Sequence, residues 1–354
     1  MAARAWSSTR PRSSARSRAS STSERRDRRA TRRLGALAAL ALTIVSLAGC
    51  TIDRPPGAEP LRYRDPVFTE VKVKRDLQYG SAPDAAGNPV ALKLDLYEPA
   101  GDEEAQRPAL VWVQGGGYAN GDKAAGIAPD IASVFAKLGY VVVSINYRMI
   151  ASPCAGANIP PQCTTAAINA QHDAQAAVRW LRAKAHAYRI DPARIAMGGE
   201  SAGAITATLT GLRSDDPGDS GNPGYSSTVG AFVSISGGAP NGAFASAGDA
   251  PGLLFHGTAD QVVPAQWSID TAVALLNAGV PAFLQLQNGA GHVPYAQCRS
   301  LYLEQSDYFL YDALDLAHAH GQPAAAARAS ARQLRGLHER YPRLEVRRYL
   351  QYAG

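Results

Sequence analysis

The feature that most constrains this chain is a short stretch of small residues, 198–204 (GGESAGA), between an apolar run and an alanine-rich segment. The apolar run predicts a strand, and the alanine-rich segment predicts a helix. A strand that turns sharply into a helix strains its corner residue, so the residues two positions to either side must be small. Gly199 and Gly203 occupy those positions. The stretch therefore predicts a nucleophile elbow, with Ser201 as the nucleophile and the amide of Ala202 facing an attacked carbonyl oxygen.

A match to G-x-S-x-G is weak evidence on its own, because roughly one chain in five of this length and composition contains such a match by chance. The alternative is an ordinary strand-to-helix turn. A serine is also unreactive unless a base takes its proton. The interpretation of Ser201 therefore depends on whether the rest of the chain supplies a base, an acid and oxyanion donors.

A glycine run after an apolar strand supplies candidate donors. Residues 114–118 (QGGGY) follow the apolar run 109–113, and glycines let the backbone curl so that its amides face a pocket. Gly116 and Gly117 would then donate to an oxyanion beside Ala202, and each donor is worth roughly 3 kcal/mol of the barrier. The alternative for such a run is a flexible turn.

An acid and a histidine follow two later strands. Asp260 starts the loop after a strand predicted at residues 252–256, and His292 lies in a glycine-rich loop after the strand predicted at 282–286. A carboxylate in that place can orient an imidazole without taking its proton. We predict Asp260 as this acid and His292 as the general base, with an Asx-turn as the alternative role of Asp260. Other candidates suit turns, the core or the surface better: Asp215, Asp216, Asp219, His172, His186, His256, His318, His320 and His338.

The chain order nucleophile, acid, base is the order associated with α/β-hydrolases. The residues concerned are 114–117 (QGGG), 199–203 (GESAG), Asp260 and His292, together with 146–148 (NYR) and 177–181 (AVRWL). In these residues the chain resembles the α/β-hydrolase carboxylesterases, particularly the compact feruloyl- and acetyl-esterase-like (BD-FAE-like) branch. The resemblance covers about residues 69–316. It departs at Gln114, where the family usually has histidine, and we expect the Gln114 amide to brace the loop instead.

Hydrophobic patterning predicts the same fold. Residues 71–73 and 90–97 alternate apolar and polar, which is typical of half-buried edge strands. Later runs are continuously apolar and alternate with helices, as in a parallel sheet covered on both faces. We expect an α/β-hydrolase fold with a mostly parallel central sheet, antiparallel N-terminal edge strands, helices on both faces and no large cap. The predicted strands are 109–113, 140–145, 195–197, 229–235, 252–256 and 282–286, and the predicted helices are 128–138, 165–187, 267–277 and 301–320.

The start of the chain predicts a targeting segment. The net charge of +6 comes from the first 49 residues, where 11 arginines face two acids; the remainder carries 25 basic and 28 acidic residues, which removes the electrostatic support for nucleic-acid binding. An apolar run at 34–47 precedes LAGC at 47–50. This ending resembles the bacterial lipobox, which implies cleavage before Cys50, lipidation of Cys50 and a membrane anchor in the cell envelope. The alternative is a plain secretory signal or an uncleaved anchor helix.

These features divide the chain into a lipoprotein signal peptide at 1–49, a proline-containing tether at 50–66, an α/β-hydrolase domain at 67–321 and a helical extension at 322–354.

Disulfides persist in exported proteins. Of the cysteines left after Cys50, we predict that Cys154 pairs with Cys163, which leaves Cys298 free or as an alternative partner. Three unpaired thiols are the alternative.

The residues therefore predict a serine ester hydrolase that works through an acyl-enzyme and needs neither metal nor cofactor. The absence of a large cap favours short-acyl or carbohydrate-linked esters over long lipids. Tyr118 and Tyr295 are candidate cleft residues, although both could simply be packed. Three alternatives stay open. They are a serine peptidase of the prolyl-oligopeptidase type, a surface-anchored binding protein on a dead hydrolase scaffold, and a dienelactone-type hydrolase, which normally uses cysteine as its nucleophile.

Overall fold

An eight-stranded sheet forms the centre of the protein. The structure is a computed structural model that describes residues 51–58, 60–156 and 159–317. The strands lie in the order β1-β2-β4-β3-β5-β6-β7-β8. Only β1 and β2 join the sheet antiparallel, and the other neighbours pair in parallel. The strands are β1 Val71–Pro83, β2 Pro89–Pro99, β3 Arg107–Val113, β4 Val141–Ile145, β5 Ile190–Glu200, β6 Ala231–Ile235, β7 Gly252–Gly257 and β8 Ala282–Gln287.

Helices cover both faces of this sheet. Along β3, Ala109, Val111 and Val113 belong to one hydrophobic core, whereas Leu110 and Trp112 belong to a second core. This alternation follows from the two-residue period of a strand. Helices α2, α3 and α4 contribute to the first core, and α1 and α5 contribute to the second. The longer helices are α1 Ala128–Leu138, α2 Pro161–Ala183, α3 Ala202–Leu212, α4 Ala265–Asn277 and α5 Tyr295–Ala313, and a helix of one turn, Ala185–Tyr188, precedes β5.

The predicted α/β-hydrolase architecture is confirmed, and the differences lie at the ends of strands and helices. Strand β1 continues to Pro83, beyond the alternating stretch 71–73, and β5 begins at Ile190 rather than at residue 195. Helix α2 begins four residues before the predicted start, at Pro161, because proline has no N–H to lose in the first helical turn. Helix α5 begins at Tyr295, directly after Pro294, rather than at residue 301. The segment between β6 and β7, where the sequence predicts no large cap, has the 3₁₀ turn Pro240–Gly242 as its only regular element among the described residues.

The segment predicted as a tether differs from a free linker in its described part. Ile52 and Tyr63 are buried in the second core, and the ring of Tyr63 packs edge-on against Tyr140. The buried guanidinium of Arg64 donates to the carbonyl oxygen of Pro55 over 2.7 Å. The apolar contacts stabilise the segment on the domain, and the hydrogen bond joins two parts of the segment to each other. The proline content alone does not predict either.

The predicted targeting segment 1–49, the lipidation site Cys50 and the C-terminal extension 322–354 lie outside the described residues. Among the residues that are described, no helix is long and apolar enough to span a membrane.

Candidate active site

Ser201 occupies a sharp turn between β5 and α3. Its backbone has φ 55° and ψ −121°, a conformation that non-glycine residues rarely adopt. The Ser201 amide donates to the carbonyl oxygen of Ile235 over 2.9 Å. A Cβ atom on Gly203 would lie 2.0 Å from the carbonyl oxygen of Val113, and one on Gly199 would lie 2.4 Å from the backbone of Gly203. The turn therefore requires small residues at both positions, as the sequence pattern predicts.

The structure brings Ser201, His292 and Asp260 together at the carboxyl edge of the sheet. The Nε2 atom of His292 lies 2.8 Å from Ser201 Oγ, and its Nδ1 atom lies 2.7 Å from Asp260 Oδ2. A carboxylate accepts hydrogen bonds, so Nδ1 carries a hydrogen and Nε2 is left to accept the Ser201 proton. These three residues follow the parallel strands β5, β7 and β8. They form the geometry of a nucleophile, a base and an orienting acid.

The buried carboxylate of Asp260 is held by four hydrogen-bond donors. Burial alone would raise its pKa, but bonds from His256 and His292 and from the amides of Val263 and Val262 outweigh that effect. The pKa of Asp260 is consequently well below its usual range. The acid is therefore ionised at any pH at which the neighbouring imidazole can act as a base.

His256 is a partner of Asp260 that the sequence analysis placed in the core without assigning it a role. It is fully buried at the end of β7. Its Nε2 atom lies 3.2 Å from Asp260 Oδ2 and 3.0 Å from the carbonyl oxygen of Val263. Both neighbours are acceptors, so Nε2 carries a hydrogen. On the other side of the ring, Nδ1 lies 2.7 Å from Ser268 Oγ. The sequence feature that could have indicated this contact is the position of His256, four residues before Asp260.

The predicted oxyanion donors lie on two segments that meet at Ser201. A Cβ atom on Gly115 would be 3.1 Å from the Ser201 Cβ, so the glycine run passes directly beside the nucleophile. In the described part of the chain, the amides of Gly116, Gly117 and Ala202 donate no hydrogen bond. They are available to a ligand, and their role as an oxyanion hole stays a prediction. Gln114 Nε2 donates to the Asn146 side chain over 3.4 Å, which links the start of the run to the end of β4.

Glu200 joins the elbow to the glycine run, a contact that the sequence analysis did not foresee. Its carboxylate accepts hydrogen bonds from the Gly115 amide over 3.0 Å and from the Trp112 indole over 2.7 Å. Burial raises the pKa of Glu200 to about 7, against the lowering effect of these two donors. The residue beside the nucleophile therefore fixes the position of the loop that is expected to bind the oxyanion.

A disulfide joins Cys154 to Cys163, the pair that the sequence predicts. The loop closed by this bond contacts two parts of the site. The Cys154 amide donates to the carbonyl oxygen of Gly117 over 2.9 Å, and the Gly156 amide donates to that of Val262 over 2.7 Å. Cys298 has a free thiol. The disulfide loop therefore connects the glycine run to the loop of the orienting acid.

A pocket of about 310 Å³ opens beside Ser201. Tyr118 lines this pocket, as proposed from the sequence. The corresponding proposal for Tyr295 is wrong, because this residue packs in the second core and its hydroxyl donates to Asp130. No group of three or more His, Cys, Asp or Glu side chains within the described ranges could hold a metal ion.

The raised pKa of Glu200 predicts a pH-dependent contribution to stability. The folded protein binds this proton more tightly than the unfolded chain, whose glutamates titrate near 4.5. The resulting stabilisation is complete below pH 4.5 and is lost as the pH rises through 7, and it amounts to about 3 kcal/mol. Glu200→Gln removes this titration. We expect the melting temperature of the wild type, relative to that of the variant, to fall by several degrees between pH 5 and pH 8.

The matched control for this measurement is Glu70→Gln, which removes an exposed carboxylate. Its melting temperature should follow that of the wild type at every pH. A constant difference between wild type and Glu200→Gln across this range would contradict the assignment of the titration to Glu200.

Comparison with known proteins identifies relatives of this site and fold. Residues 94–237 match the BD-FAE family model. The matched region contains the glycine run, the elbow and the predicted scaffold residues, whereas Asp260 and His292 lie beyond it. The chain is 31% identical over 170 residues to the probable carboxylic ester hydrolase LipM of Mycobacterium tuberculosis, an alignment that covers 48% of this chain and 35% of LipM. The chain spans between 20% and 42% of the length of the curated relatives it matches.

Solved structures extend the likeness to almost the whole fold. The butyrate-bound form of esterase Est2 from Thermogutta terrifontis superposes with a TM-score of 0.55 at 26% identity, covering 62% of this chain and 89% of that protein. The form of the same esterase phosphorylated by paraoxon superposes with a TM-score of 0.57 at 26% identity, covering 71% and 96%. With its strand order, its strained serine turn and these neighbours, the chain has the α/β-hydrolase fold, and the relatives named above are a probable carboxylic ester hydrolase and an esterase.

Proposed function

We propose that the protein is a serine carboxylic-ester hydrolase that works through an acyl-enzyme. The observation that carries this proposal is the continuous contact from Ser201 Oγ to His292 Nε2 at 2.8 Å and from His292 Nδ1 to Asp260 Oδ2 at 2.7 Å. A serine in such contact with an oriented imidazole is activated for attack on a carbonyl carbon.

The first half of the reaction forms the acyl-enzyme. Ser201 Oγ attacks the ester carbonyl carbon while its proton passes to His292 Nε2. The ionised Asp260 stabilises the imidazolium that results. The negative oxygen of the tetrahedral intermediate accepts hydrogen bonds from the amides of Gly116, Gly117 and Ala202. The bond to the alcohol oxygen then breaks, the His292 proton moves to that oxygen, and the acyl group stays on Ser201.

Water completes the cycle by the same route. It gives a proton to His292 as its oxygen attacks the acyl carbon, and the tetrahedral intermediate uses the same three amides. Collapse of this intermediate returns the proton to Ser201 Oγ and releases the carboxylic acid. In this scheme Glu200 contributes by holding the Gly115 amide, and with it the glycine run, at a fixed distance from the nucleophile.

Relatives support the ester-hydrolase reaction. Est2 of Thermogutta terrifontis is an esterase that paraoxon phosphorylates, and LipM is described as a probable carboxylic ester hydrolase. The expected substrates are short-acyl or carbohydrate-linked esters. The partial exposure of the base supports a bulky alcohol part. The alcohol must reach His292 to receive its proton, and the His292 side chain is 22% exposed.

We also propose that the protein is exported to the bacterial cell envelope and held on a membrane by a lipid on Cys50. The support is the lipobox-like ending at residues 47–50 after an apolar run. A disulfide between Cys154 and Cys163 fits an oxidising compartment.

Ser201→Ala tests the reaction. The variant lacks the nucleophile, so we expect p-nitrophenyl acetate hydrolysis to fall by at least 10³-fold and fluorophosphonate labelling to disappear. Ser226→Ala removes an exposed serine as a matched control and should keep wild-type rates. Retention of activity by Ser201→Ala would refute the assignment. A wild type that cleaves prolyl amides faster than esters would instead support a peptidase, and one that is neither labelled nor active would support a binding scaffold.

His256→Leu tests whether the buried histidine positions Asp260. Without the donor from His256, the carboxylate is held by fewer bonds, so we expect kcat to fall about tenfold while KM stays unchanged. His256→Gln keeps a donor and should recover part of kcat. Rates are normalised to the sites titrated by a fluorophosphonate. A lower melting temperature with an unchanged kcat per titrated site would assign His256 a structural role only.

Cys50→Ser tests the lipid anchor. We expect the full-length wild type in a bacterial host to incorporate labelled palmitate and to sediment with membranes, because an attached diacylglyceryl group binds to the bilayer. The variant should lose both properties. Sedimentation of Cys50→Ser with membranes, together with absence of label in the wild type, would contradict the proposal.

A further inference from the structure

The pocket beside Ser201 has the shape and lining to select one part of an ester. We propose that it binds a saturated, unbranched acyl chain of about eight to ten carbon atoms, which lies along helix α3 while its carbonyl carbon is at Ser201. This inference rests on the proposed ester hydrolysis. It extends the acyl group beyond the short one expected from the sequence.

Most of the lining of the pocket is apolar. One face of α3 supplies Ile205 and Leu209, α2 supplies Ala167 and Ile168, and Trp267 closes another side. Groups of this kind bind hydrocarbon and offer nothing to the hydroxyl groups of a sugar. The pocket is therefore suited to the apolar part of a substrate.

Among the described residues that line the pocket, Arg213 has the only charged side chain, and this side chain already has partners. Its guanidinium donates to Asp216 over 2.6 Å and to Gln171 over 3.1 Å. It also lies 4.5 Å from the ring centroid of Phe244. Because Asp216 already pairs with this guanidinium, the pocket offers no unpaired cation to an anionic acyl group.

Two independent estimates give the length of the chain. Ser201 and Leu209 both line the pocket, and a helix rises about 1.5 Å per residue, so the wall between them is about 12 Å long. An extended chain gains about 1.2 Å per bond, which gives about ten bonds. The pocket volume is about 310 Å³, and at roughly 30 Å³ per water-sized group it holds about ten such groups.

The position of His292 indicates which part of the ester, the acyl chain or the alcohol, enters the pocket. The leaving alcohol must contact His292 to receive its proton, yet His292 is not among the residues that line the pocket. Ser201 and Ala202, which hold the acyl carbon and its oxygen in the proposed reaction, do line it. The pocket consequently receives the acyl chain, and the alcohol part faces the solvent beside His292.

Large apolar side chains are exposed where the pocket meets the solvent. Ile159 is 41% exposed and Phe244 is 54% exposed, and both line the pocket. Exposed apolar groups contiguous with a pocket are typical of a site that buries them when its ligand binds. A chain lying along α3 would cover them, whereas an acetyl group would not reach them.

Two isomeric esters test the inference at equal hydrophobicity. Ethyl octanoate has a long acyl part, octyl acetate has a long alcohol part, and both have the composition C10H20O2. We expect kcat/KM, measured by pH-stat titration, to be at least tenfold higher for ethyl octanoate, because remote binding energy contributes to transition-state stabilisation. In a p-nitrophenyl ester series, kcat/KM should rise about two- to fourfold per methylene from butanoate to octanoate and level off beyond decanoate.

Variants that fill the pocket test its location. Ala167→Phe and Leu209→Phe add bulk to opposite walls of the pocket, away from the triad. Each should lower kcat/KM for p-nitrophenyl octanoate at least tenfold and change the value for the acetate less than threefold. Thr165→Phe places the same side chain on an exposed position of α2 and should leave both values unchanged. Fluorophosphonate titration and melting temperature check that each variant is folded.

The outcomes separate this inference from the proposed function. Absence of labelling and of hydrolysis for every ester would refute the ester hydrolase itself. Labelling and acetate hydrolysis with equal or faster cleavage of octyl acetate would refute the acyl pocket alone. Equal losses of kcat/KM for the acetate and the octanoate in both folded pocket variants would also refute the acyl pocket. If neither variant folds, the comparison of ethyl octanoate with octyl acetate in the wild type tests the acyl pocket by itself.

Discussion

The site depends on one strained turn. Ser201 has a positive φ because β5 must reverse into α3 within one residue, and the backbone beside it approaches so closely that Gly203 has no space for a Cβ atom. Strain of this kind persists only where surrounding contacts fix it. Here the Ser201 amide is bonded to the carbonyl oxygen of Ile235 on the neighbouring strand. This contact with the sheet therefore offsets the backbone strain at Ser201 and keeps its hydroxyl group facing the His292 imidazole.

Two buried carboxylates, those of Asp260 and Glu200, position different parts of the site. Asp260 is ionised because four donors outweigh its burial, and it orients His292. Glu200 is buried with only two donors, so its pKa rises towards neutrality, and it holds the glycine run through the Gly115 amide. The same physical effects, burial against hydrogen bonding, give opposite pKa shifts because Glu200 is more completely desolvated and Asp260 accepts more hydrogen bonds. One carboxylate positions the base, and the other positions the loop expected to bind the oxyanion.

The strand and helix pattern was predictable because it depends on local hydrophobic periodicity. The helix at Ala128–Leu138 has the predicted bounds. Most strands differ from their predicted ends by a few residues, whereas β1 continues to Pro83, well beyond the alternating stretch 71–73. Errors arose where tertiary contacts decided the outcome. Ile52 and Tyr63 lie in a proline-containing segment that suggests a linker, yet both are buried in the core. Tyr295 follows a site loop in sequence, but its hydroxyl is turned towards Asp130 on α1.

The sequence by itself determined the fold class and the candidate triad, because small residues around a serine and chain order relative to strands are local properties. The tertiary structure alone decided the rest. It placed His256 against Asp260 and Glu200 against Gly115, and it formed the largely apolar pocket from α2, α3, α4 and the loops beside them. These contacts join residues whose side-chain directions depend on how the helices pack on the sheet. Spacing along the chain does not encode that packing, so the acyl-binding surface became visible only in three dimensions.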